Sequence, residues 1–381
     1  MEPMASQRKP RILSRDYKLS GSFPIVDQGQ RLIAGWTDDE TGLISTHLPV
    51  VVFGDHTRAF KYVDFPFVRG ADGTQVLKPK AGIDPLFFYY ACRAIELPSR
   101  GYNRHFKDLK EREIPIPPLQ EQKSIAQALR KLDDTLSIQD KQLRTSLALK
   151  SAAMHTLFTR GLRGEAQKET EIGPVPESWE LKLISDHFAV VSGGTPSRRV
   201  QEFWTDGTIP WVKTTEVDYC VIRKTEEYIT RAGLTQSAAK VLAPGTLLLA
   251  MYGQGVTRGK VAILGIEATC NQACAAISPN DGVVDPKYLY HFLIFRYESI
   301  RQLAHGGQQQ NLNLEIVRNL PVPVPPDKDL QVEVVNILDG IDLKIDLHRR
   351  KHAVLDELFK ALLHKLMTGE IRVGELDLAC I

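Results

Sequence analysis

Several common features are missing from this 381-residue chain, and each absence excludes something. No run of about 18 consecutive apolar residues occurs, so no segment reads as a membrane span. The opening MEPMASQRKPRILSRDYK lacks the apolar stretch of a secretory leader. Cysteine is scarce: Cys92, Cys220, Cys270, Cys274 and Cys380 form no even framework, which suits a reducing cytoplasm. Cys270 and Cys274 have no second pair nearby, so no zinc site is expected. An excess of one charge is also lacking. Lys+Arg total 48 against 46 Asp+Glu, a net +2, so no global field announces a polyanion, although a local basic face can hide in a balanced total.

Catalytic constellations are missing too. Gly253 to Lys260 falls short of a phosphate loop, because five residues separate Gly253 from Gly259 and Val261 follows the lysine. The Walker pattern requires four residues and then Ser or Thr. Gly193–Gly194 opens no dinucleotide motif. There is no G-x-S-x-G, no H-E-x-x-H, and no Asn-Pro-Pro-aromatic or Asp-Pro-Pro-Tyr tetrad for a flipped base. No catalytic residue, metal ligand or cofactor bound by this chain is assigned.

What is present is repetition. IPIPPLQEQKSIAQALRKLDD and its continuation (114–163) are echoed by LPVPVPPDKDLQVEVVNILDGID and its continuation (320–373). Gln122 matches Gln331, Leu129 matches Leu338, Asp133 matches Asp342 and Leu157 matches Leu366, each pair 209 positions apart. Two copies are too few for a solenoid. They mark a duplicated half with a pseudo-two-fold, whose natural target has two half-sites.

Each copy predicts a long helix. Between Pro118 and about Arg160 neither Pro nor Gly interrupts the chain, and apolar residues fall at Ile125, Leu129, Leu132, Leu136, Leu143, Leu147, Met154 and Leu157. The second stripe runs through Val334, Leu338, Ile341, Ile345, Leu355, Phe359, Leu362 and Leu366. Prolines precede each helix, and Gly161 and Gly369 stand at the ends. About 40 residues at ~1.5 Å each make a helix of ~60 Å. Neither stripe can bury itself, so an antiparallel coiled coil of the two is expected, with Leu129, Leu132, Leu136, Leu143, Leu338, Ile341, Ile345, Phe359 and Leu362 as the coiled-coil or partner interface. Gln139, His348 and His352 interrupt the stripes. They either lie at its edge and reach water or occupy core positions and fix register.

The intervening segments, 1–113 and 181–319, read as mixed α/β. LPVVVFGD (48–55) and GTLLLAMYG (245–253) are strand-like, and a short helix follows Asp-Pro at Asp84 and at Asp285. Residues 164–180 read as a charged linker and 374–381 as a tail. Polar glycine-containing loops recur at matching places: SGSFPIVDQGQ, FGDHTR and SRGYNRH in the first segment, SGGTPSRR, YGQGVTRGK and GGQQQN in the second. Arg and Lys there suit phosphates, while Arg suits guanine and Gln or Asn suit adenine. The DNA-contact candidates are Gln28, Arg58, Lys61, Arg100, Asn103 and Arg104 in the first segment. In the second they are Thr195, Ser197, Arg198, Arg199, Lys213, Gln254, Arg258, Lys260, Gln308, Gln309, Gln310 and Asn311.

At this point the chain resembles the DNA-specificity subunit of type I restriction–modification enzymes. The repeated helices, the linker IGPVPESWELKLISD (172–186) and the pattern GGTPS, FWTDGTIPWVKTTEV and NQACAAISP carry the resemblance from about Ser20 onward. It implies an α/β (α+β) chain: two mixed α/β target-recognition domains separated by two long antiparallel helices forming a coiled coil. It also implies a bacterial or archaeal cytoplasmic, non-catalytic subunit that reads a bipartite, asymmetric double-stranded DNA target. Implied partners are two modification (methyltransferase) subunits using S-adenosylmethionine, and restriction/translocase subunits using ATP and Mg. Helices of ~60 Å can hold two readers roughly one turn of DNA, ~34–36 Å, apart. The linker pattern PESWELKLISD has no counterpart before the first domain, which therefore reads as N-terminally short or diverged. A coiled-coil adaptor with two protein-binding domains is the alternative. It predicts no salt-dependent affinity for duplex DNA.

Overall fold

The computed structural model describes residues 2–3, 11–70, 73–98, 101, 103–253, 256–303 and 311–375. The chain divides into two compact units, Met1–Gln142 with His348–Ile381, and Leu143–Leu347.

In the first unit one sheet has the strand order Glu2–Pro3, Thr74–Lys78, Val50–Gly54, Phe60–Val63, all antiparallel. A second sheet orders Gly35–Thr37, Phe23–Val26, Phe67–Arg69 and Leu43–Ile44. Val50–Gly54 is the central strand and is buried on both faces, which its unbroken VVVF run already implies. Pro85–Arg93 is a nine-residue helix whose start is written in Asp84-Pro85: Asp84 Oδ1 accepts from Leu86 N at 3.0 Å and Phe87 N at 2.9 Å. Its apolar face (Phe87, Tyr90, Ala91) packs with Ile125, Leu129 and Leu132 of the helix Leu119–Arg160 and with Phe359, Leu362, Leu363 and Leu366 of the helix Lys328–Thr368. Each such buried side chain contributes ~1.5–3 kcal/mol.

The second unit repeats this plan in other residues. Its five-stranded sheet is ordered Phe188–Ser192, Cys274–Pro279, Leu247–Ala250, Val261–Leu264, Val221–Ile222. Leu248 faces Ala262 on one side and Ala276 on the other, as Val52 faces Lys61 and Val76 in the first unit. A three-stranded sheet (Glu227–Ile229, Ile209–Val212, Thr269–Cys270) lies in the same unit. Asp285 caps Pro286–Phe295, and Tyr288 and Phe292 pack with Met154, Leu157 and Phe158 of one long helix and Val334, Val335 and Leu338 of the other. Glu180–Leu183, the ELKL of PESWELKLISD, pairs with Pro321–Val324. Among the described residues, no strand pairs with the corresponding Pro115–Pro118 run of the first unit.

The matched glutamines do the same work twice. Gln122 is 1% exposed: its Oε1 accepts from Asp84 N at 2.8 Å, and its Nε2 donates to Pro117 O at 2.8 Å. Gln331, also 1% exposed, accepts from Asp285 N at 2.8 Å and donates to Val283 O at 3.0 Å. Each ties the first turn of a long helix to the cap of the short helix beside it. Gly161 and Gly369 terminate the long helices with φ of +64° and +75°, the left-handed conformation that a helix stop requires.

The helices run antiparallel in both units, as the apolar partners show. Their middle is polar, and the heptad spacing passes through it unbroken. Gln139 is 4% exposed and hydrogen-bonds His348 at 3.2 Å, a residue 209 positions away and therefore its own repeat mate. His352 pairs with Asp140 at 3.2 Å, and Lys150 with Asp342 at 2.6 Å. Gln139 and His348 thus occupy core positions and pair with each other, the arrangement that fixes register at some cost in stability, while His352 lies nearer the edge. One stripe assignment is corrected: Leu147 is exposed, and the heptad position beside it belongs to buried Ser146. Leu147 is the more apolar of the two, but it lies one residue out of step.

Candidate nucleic-acid interface

In the first unit, three polar loops meet at Asp55. This carboxylate is 2% exposed, and its Oδ1 accepts from His105 N and Phe106 N, both at 2.7 Å. The Asp55 carbonyl accepts from His105 N at 3.0 Å and lies 3.0 Å from His105 Nδ1, while Asp55 N donates to Gly73 O at 2.7 Å. Gln28 joins the cluster: its carbonyl accepts from the Thr57 hydroxyl and its Oε1 from His56 N at 3.4 Å. Asp55 and His105 were not among the sequence candidates, although FGDHTR contains the first and SRGYNRH the second. An Asp in a polar loop carries no mark of burial until the fold closes over it.

The candidates of this unit separate. Gln28 is half-buried, while Arg58, Asn103 and Arg104 are exposed on the loop cluster. Arg58 adopts φ +60° and donates to Leu97 O at 2.9 Å. Lys61 is corrected: it is 5% exposed, its Nζ donates to Asp27 O at 2.8 Å, and Asp27 Oδ1 lies 3.6 Å away. Burial lowers its pKa while Asp27 opposes the shift. Lys61 is an internal strut, because the pleat that alternates side chains turns it inward. Arg100 lies outside the described residues.

In the second unit the loop 193–199 dives against the sheet. A Cβ on Gly193 would stand 2.2 Å from Cys270 O, and one on Gly194 2.3 Å from Ala238 C, so only glycine fits. Trp211 Nε1 donates to Gly194 O at 2.9 Å and pins the turn. Beyond it Thr195 is half-buried, and Ser197, Arg198 and Arg199 are exposed. The Arg198 guanidinium lies 3.7 Å over the Trp204 ring and 4.8 Å from that of Trp211, and is bonded to Glu227. Lys213 Nζ contacts Glu226 at 2.5 Å and Glu227 at 3.3 Å. The hydrogen bond from Arg198 is the main reason the Glu227 carboxyl titrates below its ordinary range. Lys260 pairs with Asp218 at 2.6 Å. These cations already have partners. A phosphate would have to displace a glutamate or aspartate, so their first effect is to hold loops rather than to supply free charge.

Arg258 is half-buried and Asn311 exposed, whereas Gln254, Gln308, Gln309 and Gln310 lie outside the described residues. Asn271 and Gln272 were not among the candidates, although NQACAAISP was singled out as a pattern. They sit in the turn closed by Cys274 N on Asn271 O at 3.1 Å. Thr214 Oγ1 donates to Asn271 Oδ1 at 2.8 Å, and the Thr195 hydroxyl donates to Gln272 Oε1. Among the described residues no cluster of three His, Cys, Asp or Glu could hold a metal, and no helix is long and apolar enough to cross a membrane.

This arrangement defines a duplicated scaffold: two strand-rich bodies, each presenting polar, glycine-cut loops, and a shared pair of long helices. The family model of the type I restriction modification DNA specificity domain matches residues 6–147 and again 176–357, and the chain belongs to that family. It is 24% identical over 344 residues to the type I restriction enzyme EcoR124I/EcoR124II specificity subunit of Escherichia coli, covering 87% of this chain and 82% of that one. It is 30% identical over 214 residues to the MjaIX specificity subunit of Methanocaldococcus jannaschii, covering 54% and 48%. In fold it is similar to the crystal structure of a type I S subunit from M. genitalium, with a TM-score of 0.62 at 17% identity over 96% of this chain and 92% of that one. It is also similar to a chain from a structure of type I R-M complex assembly, with a TM-score of 0.53 at 15% identity and 92% of each chain covered.

Proposed function

We propose that this chain reads a bipartite, asymmetric double-stranded DNA target and assembles the subunits that act on it. Each unit recognises one half of the target through its loop cluster. The chain performs no chemistry itself. Modification subunits bring S-adenosylmethionine and methylate adenine, and restriction/translocase subunits bring ATP and Mg; all act in the cytoplasm. The observation that carries this reading is the duplication itself: the same capped helix, buried glutamine and loop-bearing sheet occur twice, in different residues.

Two modification subunits fit the helix pair. Exposed apolar residues recur as repeat mates, Ile138 with Leu347 and Leu149 with Leu358. Val354 adds to the first unit's patch and Leu343 to the second's. Apolar residues exposed at matching positions offer each unit a docking surface.

The test is methylation of genomic DNA by the chain co-expressed with its cognate modification subunit, mapped base by base. A single split motif with adenine methylated in both halves is the expected result. No methylation, with the subunits shown to associate, would overturn it. In binding assays affinity for duplex DNA should fall steeply with salt, as charge-driven DNA binding does.

A further inference from the structure

Asn271 and Gln272 are neighbours in one turn, and each has its carbonyl oxygen occupied from within the protein. Thr214 donates to Asn271 Oδ1 at 2.8 Å. The Cys274 thiol stands 3.7 Å from Thr214 Oγ1 and donates to it. Thr214 directs its single proton to Asn271 Oδ1, so the carbonyl edge of that amide faces the threonine. The Thr195 hydroxyl donates to Gln272 Oε1. Both amides therefore turn their NH2 groups outward. Asn271 is half-buried and Gln272 exposed, so those groups are available to a ligand.

A free amide offers one donor edge and one acceptor edge, which is why Gln or Asn pairs with adenine N6 and N7. With its carbonyl held against a threonine, each amide has its NH2 edge left for a ligand. In the major groove guanine presents two acceptors, N7 and O6, whereas adenine presents an acceptor and a donor and cytosine a donor. A donor-only pair matches guanine and leaves adenine N6 unmet.

We infer that Asn271 and Gln272 read a guanine in the half-site of the second unit, and that Thr195 and Thr214 set this choice by holding the two carbonyls. This rests on the proposed function and deepens it. Thr195 and Thr214 are positioning residues, while Asn271 and Gln272 touch the base.

The experiment uses the full chain co-expressed with its modification subunit and maps methylated motifs in genomic DNA for wild type, Gln272→Glu and Thr195→Val. Wild type should methylate a motif containing guanine in one half. Gln272→Glu replaces a donor with an acceptor at constant size. It should reduce adenine methylation of motifs carrying that guanine by about 5- to 200-fold, the factor equivalent to ~1–3 kcal/mol, and leave the other half's sequence unchanged. Thr195→Val frees the Gln272 amide to turn over, so adenine should become tolerated at the same position. A purely structural role would lower methylation without changing the base preferred. If wild type methylates a split motif and both variants keep its base preferences, the inference fails while the proposed function stands. If wild type methylates nothing, both fail.

Discussion

The two units close their central strands by different chemistry. In the first, Val50–Gly54 ends at Asp55, a buried carboxylate holding His105 and Phe106 by their N–H groups. In the second, Leu247–Ala250 runs into buried Met251, which accepts from Leu312 N at 3.1 Å and donates to Ala273 O at 2.8 Å through its backbone, while its side chain joins the core. The helix junctions differ in the same way. Asp133 is met by Arg93 from the short helix, at 3.0 Å, with the guanidinium 4.6 Å over Phe359. Its mate Asp342 is met by Lys150 from the other long helix. Duplication thus preserves topology and caps while the groups that satisfy them are exchanged. A charge at a given place is retained, and the residue answering it need not come from the same element.

The largest effect should come from breaking the asymmetric hub. Asp55→Ala removes the carboxylate that accepts from His105 N and Phe106 N, leaving His105 N the Asp55 carbonyl alone, and each hydrogen bond to a charged group is worth ~1.5–3 kcal/mol. Destabilisation of ~3–5 kcal/mol in the first unit is expected by denaturant titration, with no motif half read by that unit. Met251→Ala in the second should cost ~2–5 kcal/mol by cavity formation alone, without pH dependence. The symmetric feature supplies the control. Gln122→Leu and Gln331→Leu should each cost ~1–3 kcal/mol, because both strand a capped N–H at the same place. Unequal losses in thermal unfolding would show that the repeated glutamines are not equivalent.

Lys150→Met should cost ~1–2 kcal/mol, since Asp342 is part-buried and loses its cation. Arg93→Met should cost more, because Arg93 also covers Phe359. Comparative urea unfolding decides the order. The smallest effect concerns pH. The hydrogen bond from His291, together with Lys287, holds Asp339 down to about 2, from 3.8. A depressed folded-state pKa gives stability that is present above about pH 4 and lost as pH falls towards 2. Asp339→Asn should remove that acid-dependent loss from unfolding curves of the second unit. An unchanged acid limb would mean that the pair does not contribute.

Much of this was written in the chain. The helices Leu119–Arg160 and Lys328–Thr368 were legible because apolar spacing, preceding prolines and terminal glycines all agree. The caps Asp84 and Asp285 were legible because Asp-Pro starts a helix by local geometry. The loops were visible as polar and glycine-cut, but not which of their residues would be buried, paired or presented. Lys61 reads as a surface cation and is an internal strut, Leu147 reads as core and is exposed, and Asn271 and Gln272 stand out only as part of the pattern NQACAAISP. The sequence by itself determined the duplication, the helix pair and the class of fold, because these follow from periodicity and from interactions within a few residues. The three-dimensional packing settles that Gln139 bonds its own repeat mate, that Asp55 gathers three loops, and that two threonines hold the carbonyls of two neighbouring amides. Those outcomes depend on groups tens to hundreds of positions apart coming within about 3 Å, a distance that no local pattern encodes.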